Sequence, residues 1–213
     1  MNLLVNTMQF VVLMTKKYKI DESHGLSHSM NVLHFANKIL IEQIEIDPTL
    51  KNCSHMRIIY ISAVLHDMCD KKYIDVAEGI DEINTCLQDA KVSEEEIRIV
   101  NQIIDTMSYS KVKENGFPDL GIYMNAYHIV READLLSAYD FDRCMIYNMY
   151  NKPEKGADVH YAFSDALKLF QNRVFKHDED GLLTTQYAKN MHPQLKRSAE
   201  IHIENWRKIM RTL

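Results

Sequence analysis

Residues 58–67 read Ile58-Ile59-Tyr60-Ile61-Ser62-Ala63-Val64-Leu65-His66-Asp67. At helical spacing Ile58, Ser62, Leu65 and His66 fall on one face and Asp67 lies immediately beside it, so an apolar helix delivers an imidazole and a carboxylate together. The same period extends outward on both sides. Upstream, Val32, Ala36, Ile39 and Leu40 form a stripe that, counted back, includes His28. Downstream, Tyr127, Val130, Asp134, Ala138 and Phe141 form another. No alternating Val/Ile/Thr pattern competes with these stripes, and most of the 4 prolines and 6 glycines stand between them. The pattern predicts an all-α fold with helices near 3–18, 26–45, 55–69, 74–89, 93–108, 122–150, 159–176 and 184–211. Ser93-Glu94-Glu95-Glu96 has the form of a capping box, and Asp47-Pro48 breaks the second helix. Ser110 to Gly121 and Asn151 to Asp158 are expected loops of the kind that can cover a site. With no repeat and no linker, residues 1–213 are expected to form a single helical domain.

Bulk properties narrow the function classes. The 213 residues suffice for a real core. A hydrophobic content of 46% and a charged content of 26% are those of a globular chain. A net charge of -5 offers no general attraction to nucleic acid or to an anionic membrane, so neither is an expected partner. A phosphate-bearing ligand would need a local cation, which favours a metal. Cys53, Cys69, Cys86 and Cys144 form no CxxC pair and suit reduced thiols in a cytoplasmic setting. The apolar run Met8 to Met14 is too short to span a bilayer and is expected to be part of a buried helix. The 12 Met and 11 Tyr are read as core filling, leaving monomer and homodimer both open.

An inward carboxylate left alone costs several kcal/mol or takes up a proton. Taken singly, an inward His is more often a hydrogen-bonded core residue than a ligand, and either Asp could cap a helix. Taken together, His28, His66, Asp67 and Asp134 come from three helices, the way helix bundles commonly build a metal site.

Asp21-Glu22-Ser23-His24-Gly25-Leu26-Ser27-His28, then Ala63-Val64-Leu65-His66-Asp67-Met68, then Ile129-Val130-Arg131-Glu132-Ala133-Asp134-Leu135-Leu136 resembles the HD superfamily of metal-dependent phosphohydrolases. The likeness is to its small bacterial-type, YpgQ/YedJ-like branch. His24, Ser108-Tyr109-Ser110 and the stretch Tyr161 to Trp206 match further pieces of that branch. The resemblance runs from about Asp21 to the C-terminus, with a core near 21–140 and a C-terminal helical part near 141–213. Where the branch often carries Arg, Arg and a second Asp, this chain has Asn31, Leu135 and Ser137.

The resemblance implies His28, His66, Asp67 and Asp134 as ligands of one divalent cation. Mixed imidazole and carboxylate donors suit Mn²⁺ first, with Mg²⁺, Fe²⁺ or Co²⁺ as alternatives. It implies Asp67 as ligand and orienter of the attacking water, with His24 protonating the leaving group or contacting phosphate. Lys71, Lys72, Lys111 and Arg131 adjoin the motifs and are expected phosphate binders, and Glu78 is placed facing the site. The expected substrate is a nucleoside triphosphate, split to monophosphate and pyrophosphate. A nucleoside monophosphate phosphatase and a catalytically silent nucleotide-binding module are the alternatives.

Overall fold

The computed structural model describes residues 3–151 and 158–212. Among them are ten α-helices and no strand: α1 (Leu3–Tyr18), α2 (Leu26–Ile46), α3 (Cys53–Leu65), α4 (Val76–Asp89), α5 (Glu94–Thr106), α6 (Tyr109–Asn115), α7 (Met124–Ser137), α8 (Phe141–Asn151), α9 (Val159–Asn172) and α10 (Gln186–Thr212). The fold is all-α. No helix among the described residues is long and apolar enough to cross a membrane.

The decisive stretch becomes the central helix. α3 packs against α1, α2, α5 and α7, so it is apolar on nearly every side, and Ile58, Ile59, Ala63, Val64 and Leu65 are completely buried. Burying each large aliphatic side chain contributes about 2 kcal/mol. α2 and α7 flank it and pack on each other, burying Val32, Ala36 and Ile39 from one and Tyr127 and Val130 from the other. The capping box is formed: Ser93 Oγ accepts from Glu96 N at 3.3 Å and the Glu96 carboxylate accepts from Ser93 N at 3.2 Å. Arg57 of α3 donates to the same carboxylate at 2.6 Å, so the cap also ties α5 to the central helix.

The rotation of α7 is fixed by a buried acid. Glu132 is fully buried and accepts from the backbone and hydroxyl groups of Thr184 and Thr185 and from Arg131. A buried carboxylate is tolerable when its lone pairs are filled in this way. The network anchors the start of α10 to α7 two residues before Asp134.

A second, smaller cluster stands apart from the first. Phe141 and Met145 of α8, Phe163 and Phe170 of α9, and Ala199 and Ile203 of α10 form its centre. Phe141 meets Phe163 and Phe170 edge to face, with ring centroids 5.4 and 5.1 Å apart.

Several boundaries differ from the sequence expectation. The segment 122–150 is two helices, because Asp140 Oδ1 accepts from Arg143 N and caps a new start. The buried Tyr139 pins the break by donating to Val174 O at 2.8 Å. The stripe stays continuous across that break, which is why periodicity alone reads one helix. The expected helix 55–69 ends at Leu65, leaving His66 as its C-cap and Asp67 in the turn that follows. Part of the expected loop 110–121 is α6, capped by Ser108 and stopped at Gly116 with φ 74°. With one buried residue, Val112, α6 has too little apolar face to show in a periodicity. The segment 159–176 is α9 followed by a 3-10 turn. Residues 152–157, most of the second expected loop, lie outside the described residues.

Candidate metal centre

Three elements bring the four expected ligands together. His28 enters from the first turns of α2, His66 and Asp67 from the end of α3, and Asp134 from the last turn of α7. His28 Nε2 lies 3.0 Å from His66 Nε2, 3.1 Å from Asp67 Oδ2 and 3.5 Å from Asp134 Oδ1. His66 Nε2 lies 3.3 Å from the same Asp67 oxygen and 3.6 Å from the same Asp134 oxygen. His28, His66 and Asp67 thus offer ligand atoms that all lie within 4.8 Å of one another, and Asp134 joins them through both imidazoles. Neighbouring donors on an octahedral ion with bonds near 2.1 Å stand about 3 Å apart. The spacing of His28, His66 and Asp67 therefore fits one small divalent cation, with Asp134 adjoining at 3.5 and 3.6 Å from the two imidazoles.

The local chain supports that fit. His66 Nδ1 is 3.0 Å from Ala63 O; a nitrogen facing a carbonyl must donate, which leaves Nε2, once it gives up its own proton, to face the other three ligands with a lone pair. α3 ends at this point, and its last carbonyls add negative potential that favours a cation. The turn after Asp67 is held close to α4: a Cβ at Gly79 would come within 2.7 Å of Cys69 Cβ, so only glycine allows this approach. The imidazoles are buried, whereas the Asp67 and Asp134 side chains are 17% and 27% exposed. The cluster is therefore closed from behind and open on its carboxylate side.

Its electrostatics demand positive charge. Burial alone would strip His66 of a proton, but Asp67 and Asp134 hold its pKa well above the usual value. Burial alone would raise the two acids. The charge of His66 keeps Asp67, and hydrogen bonds from His28 and His66 keep Asp134, well below the carboxylate range. Two anions so tightly bound to a shared proton are also competent ligands for a metal ion, which would displace that proton.

His24 lines the opening. Its ring is 6.3 Å from that of His28 and 5.4 Å from that of Tyr147. Lys72 Nζ lies 3.3 Å from His24 Nε2; an ammonium only donates, so that nitrogen accepts and Nδ1 carries the proton. Nδ1 in turn faces Ser23 Oγ at 2.6 Å and Tyr73 Oη at 3.0 Å. Burial pushes the His24 pKa down to about 4; Asp67 opposes this and Lys72 adds to it. Burial therefore favours the neutral imidazole, which argues against leaving-group protonation by His24.

The expected phosphate binders divide. Lys72 is at the site, ion-paired with Asp70 at 3.0 Å and 5.1 Å from the Tyr147 ring. Lys71 is exposed and bonds to no member of the cluster among the described residues. Lys111 is spent on Asp105, donating to its carboxylate and its carbonyl at 2.5 Å each. Arg131 is 1% exposed, over the Phe117 ring and ion-paired with Glu132, so it serves the α7 anchor and cannot meet a ligand. Glu78 accepts from Tyr18 at 2.7 Å and so belongs to the contact between α4 and α1.

Residues that periodicity did not single out complete the rim. Arg143 of α8 donates to His28 Nδ1. Asp21 accepts from Tyr73 at 2.5 Å and from Asn151 at 2.6 Å, joining the turn before α2 to the end of α8. Arg173, just after α9, lies 4.3 Å from the Tyr109 ring. Asp21 opens the motif stretch Asp21 to His28 and Tyr109 lies within Ser108-Tyr109-Ser110, whereas Arg143 carried no sequence signal.

No protein-family model matches this chain, and no curated protein matches it. A crystal structure of a Lactobacillus plantarum protein, a structural-genomics target, is similar: 18% identical, covering 99% of this chain and 98% of that one, with a TM-score of 0.71. At that identity the likeness shows a shared fold, and it extends over both clusters.

Proposed function

We propose that this chain is a divalent-metal-dependent phosphohydrolase of the HD type, with His28, His66, Asp67 and Asp134 as its metal ligands. The observation that carries the reading is the set of donor separations of 3.0 to 3.6 Å between side chains from three separate elements. When bound, the ion supplies Lewis acidity toward a phosphoryl oxygen and lowers the pKa of water. Asp67, on the open side, orients the attacking water. His24 and Lys72 contact the phosphate from the rim. Mn²⁺ is the first choice, with Mg²⁺, Fe²⁺ and Co²⁺ compatible with the same donors. A cytoplasmic setting goes with four cysteines that form no disulfide among the described residues.

The proposed substrate is a nucleoside triphosphate, cleaved to monophosphate and pyrophosphate. The test is a screen of nucleotides against these four metals, with products separated by chromatography. Monophosphate with pyrophosphate is the expected result. Nucleoside with orthophosphate would make the chain a phosphomonoesterase instead, and tight nucleotide binding without turnover in any metal would overturn the hydrolase reading.

A further inference from the structure

Two arginines near the centre have no ion-pair partner among the described residues. Arg143 and Arg173 make no ion pair among the described residues: Arg143 reaches only His28 Nδ1, and Arg173 only the face of Tyr109. A guanidinium offers five donors and no acceptor, so neither contact satisfies it. Arg143 stands against His28 itself. The charge of Arg143 reaches His24. Arg173 is held down by burial, and the foremost charge opposing that is Asp134. Lys72, Arg143 and Arg173 all act on the half-buried Cys144 thiol, which burial pushes up to about 11.

Counting charge shows what such a surface would hold. A divalent ion would balance Asp67 and Asp134, and Asp70 balances Lys72. Among the described residues Arg143 and Arg173 then remain as two positive charges without an ion pair, enough for one phosphate beyond the group lying at the metal. The Arg143 contact is also one that metal loading would release. Once His28 Nε2 gives its lone pair to an ion, the imidazole proton resides on Nδ1, and an arginine cannot donate to an N–H.

We propose that Arg143 and Arg173 form a second anion subsite beside the metal centre, binding a further phosphate of a substrate that carries at least two. This deepens the metal-centre reading, since it places the reacting phosphoryl group at the four ligands and its neighbour between the two arginines. The preference for more than one phosphate then resides in residues that follow the ligand motifs, on the second cluster.

The test uses the full chain and two non-hydrolysable probes, methylenediphosphonate and methylphosphonate, titrated by calorimetry into Mn²⁺-loaded and chelator-treated protein. Wild type is expected to bind methylenediphosphonate at least tenfold tighter than methylphosphonate. Arg143→Gln and Arg173→Gln are each expected to weaken methylenediphosphonate by about tenfold while moving methylphosphonate less than threefold, with bound Mn²⁺ unchanged by elemental analysis. If a glutamine variant fails to fold, Arg143→Lys and Arg173→Lys, which keep charge but lose the fork, are expected to lose a smaller part of the same preference. Affinity for methylenediphosphonate within twofold of wild type in these variants would overturn the subsite, as would equal losses for both probes. Loss of Mn²⁺ in Arg143→Gln would make Arg143 a positioning residue for His28 and also overturn it. A wild type that binds no divalent metal defeats the metal-centre reading alone; the arginine dependence in chelator-treated protein then decides the subsite.

Discussion

The two hydrophobic clusters meet at one opening and bring it opposite things. The larger, on α2, α3 and α7, is aliphatic at its centre and presents two imidazoles and two carboxylates. The smaller, on α8, α9 and part of α10, has an aromatic centre and presents the guanidiniums of Arg143 and Arg173. One side attracts a cation and the other an anion. A ligand combining both, a metal and a phosphate chain, would be held only where the two clusters are apposed. The contacts that join them at the rim include Asn151 to Asp21, Arg143 to His28 and the Tyr147 ring to His24. The separation predicts that metal binding depends on the first cluster alone and that phosphate selection depends on the second.

The largest expected effect tests the first half. His66→Ala or Asp67→Ala removes a donor from the only cluster of potential ligands among the described residues. Hydrolysis is expected to fall at least a thousandfold, about 4 kcal/mol of barrier, with bound metal lost in elemental analysis. Full activity in either variant would place the chemistry elsewhere.

Damage confined to the second cluster should behave differently. Phe170 is fully buried between the rings of Phe141 and Phe175 and is distant in sequence from every ligand. Phe170→Ala is expected to destabilise by about 3 kcal/mol. Hydrogen exchange is expected to show α8 and α9 opening before α2 and α3, while Mn²⁺ binding stays near stoichiometric. A single cooperative loss of both clusters, with the metal, would erase the distinction drawn between them.

The same division governs what could be read in the sequence. The ligand-bearing helices were legible because α3 is apolar nearly all round and α2 and α7 have sharp apolar stripes, so His28, His66 and Asp134 fall on faces that period alone identifies. Asp67 was legible only as the neighbour of His66, since it lies past the helix end. Arg143 and Arg173 gave no such signal. Arg143 sits beyond a break that the Asp140 cap makes without any proline or glycine, and Arg173 follows the end of α9. Both are brought to the site by packing between helices distant in sequence. Lys111 and Arg131 failed as phosphate binders for the converse reason. Proximity to a motif does not reveal that Asp105 or Glu132 already holds the charge.

His24 stands where the clusters meet, touching Lys72 and Tyr73 on one side and the Tyr147 ring of α8 on the other. His24→Ala is expected to lower turnover ten- to a hundredfold, at most about 2.7 kcal/mol, while metal content stays unchanged. Loss of metal in this variant would make His24 part of the ligand set. An unchanged rate would mean that the rim does not contact the reacting group.

The smallest effect concerns how the junction responds to acid. His177 is completely buried, beside the rings of Tyr109 and Tyr139, and neither ring nitrogen has a hydrogen-bond partner among the described residues. Burial, reinforced by Arg173, lowers its pKa from 6.5 to about 3. The unfolded chain therefore binds a proton between pH 6.5 and 3 that the folded chain refuses, and the contribution to stability is complete above 6.5 and lost as the pH falls below it. Between pH 7.5 and 5.5 this one group is expected to remove about 1.4 kcal/mol. Urea unfolding at the two pH values measures the loss, and His177→Gln, which cannot titrate, should reduce the difference by that amount. Because His177 lies between Tyr109, which supports Arg173, and Tyr139, which pins the start of α8, the acid sensitivity should appear first in α8 and α9. If exchange at pH 5.5 accelerates equally in α3, the two clusters share one stability and the acid response belongs to the whole fold.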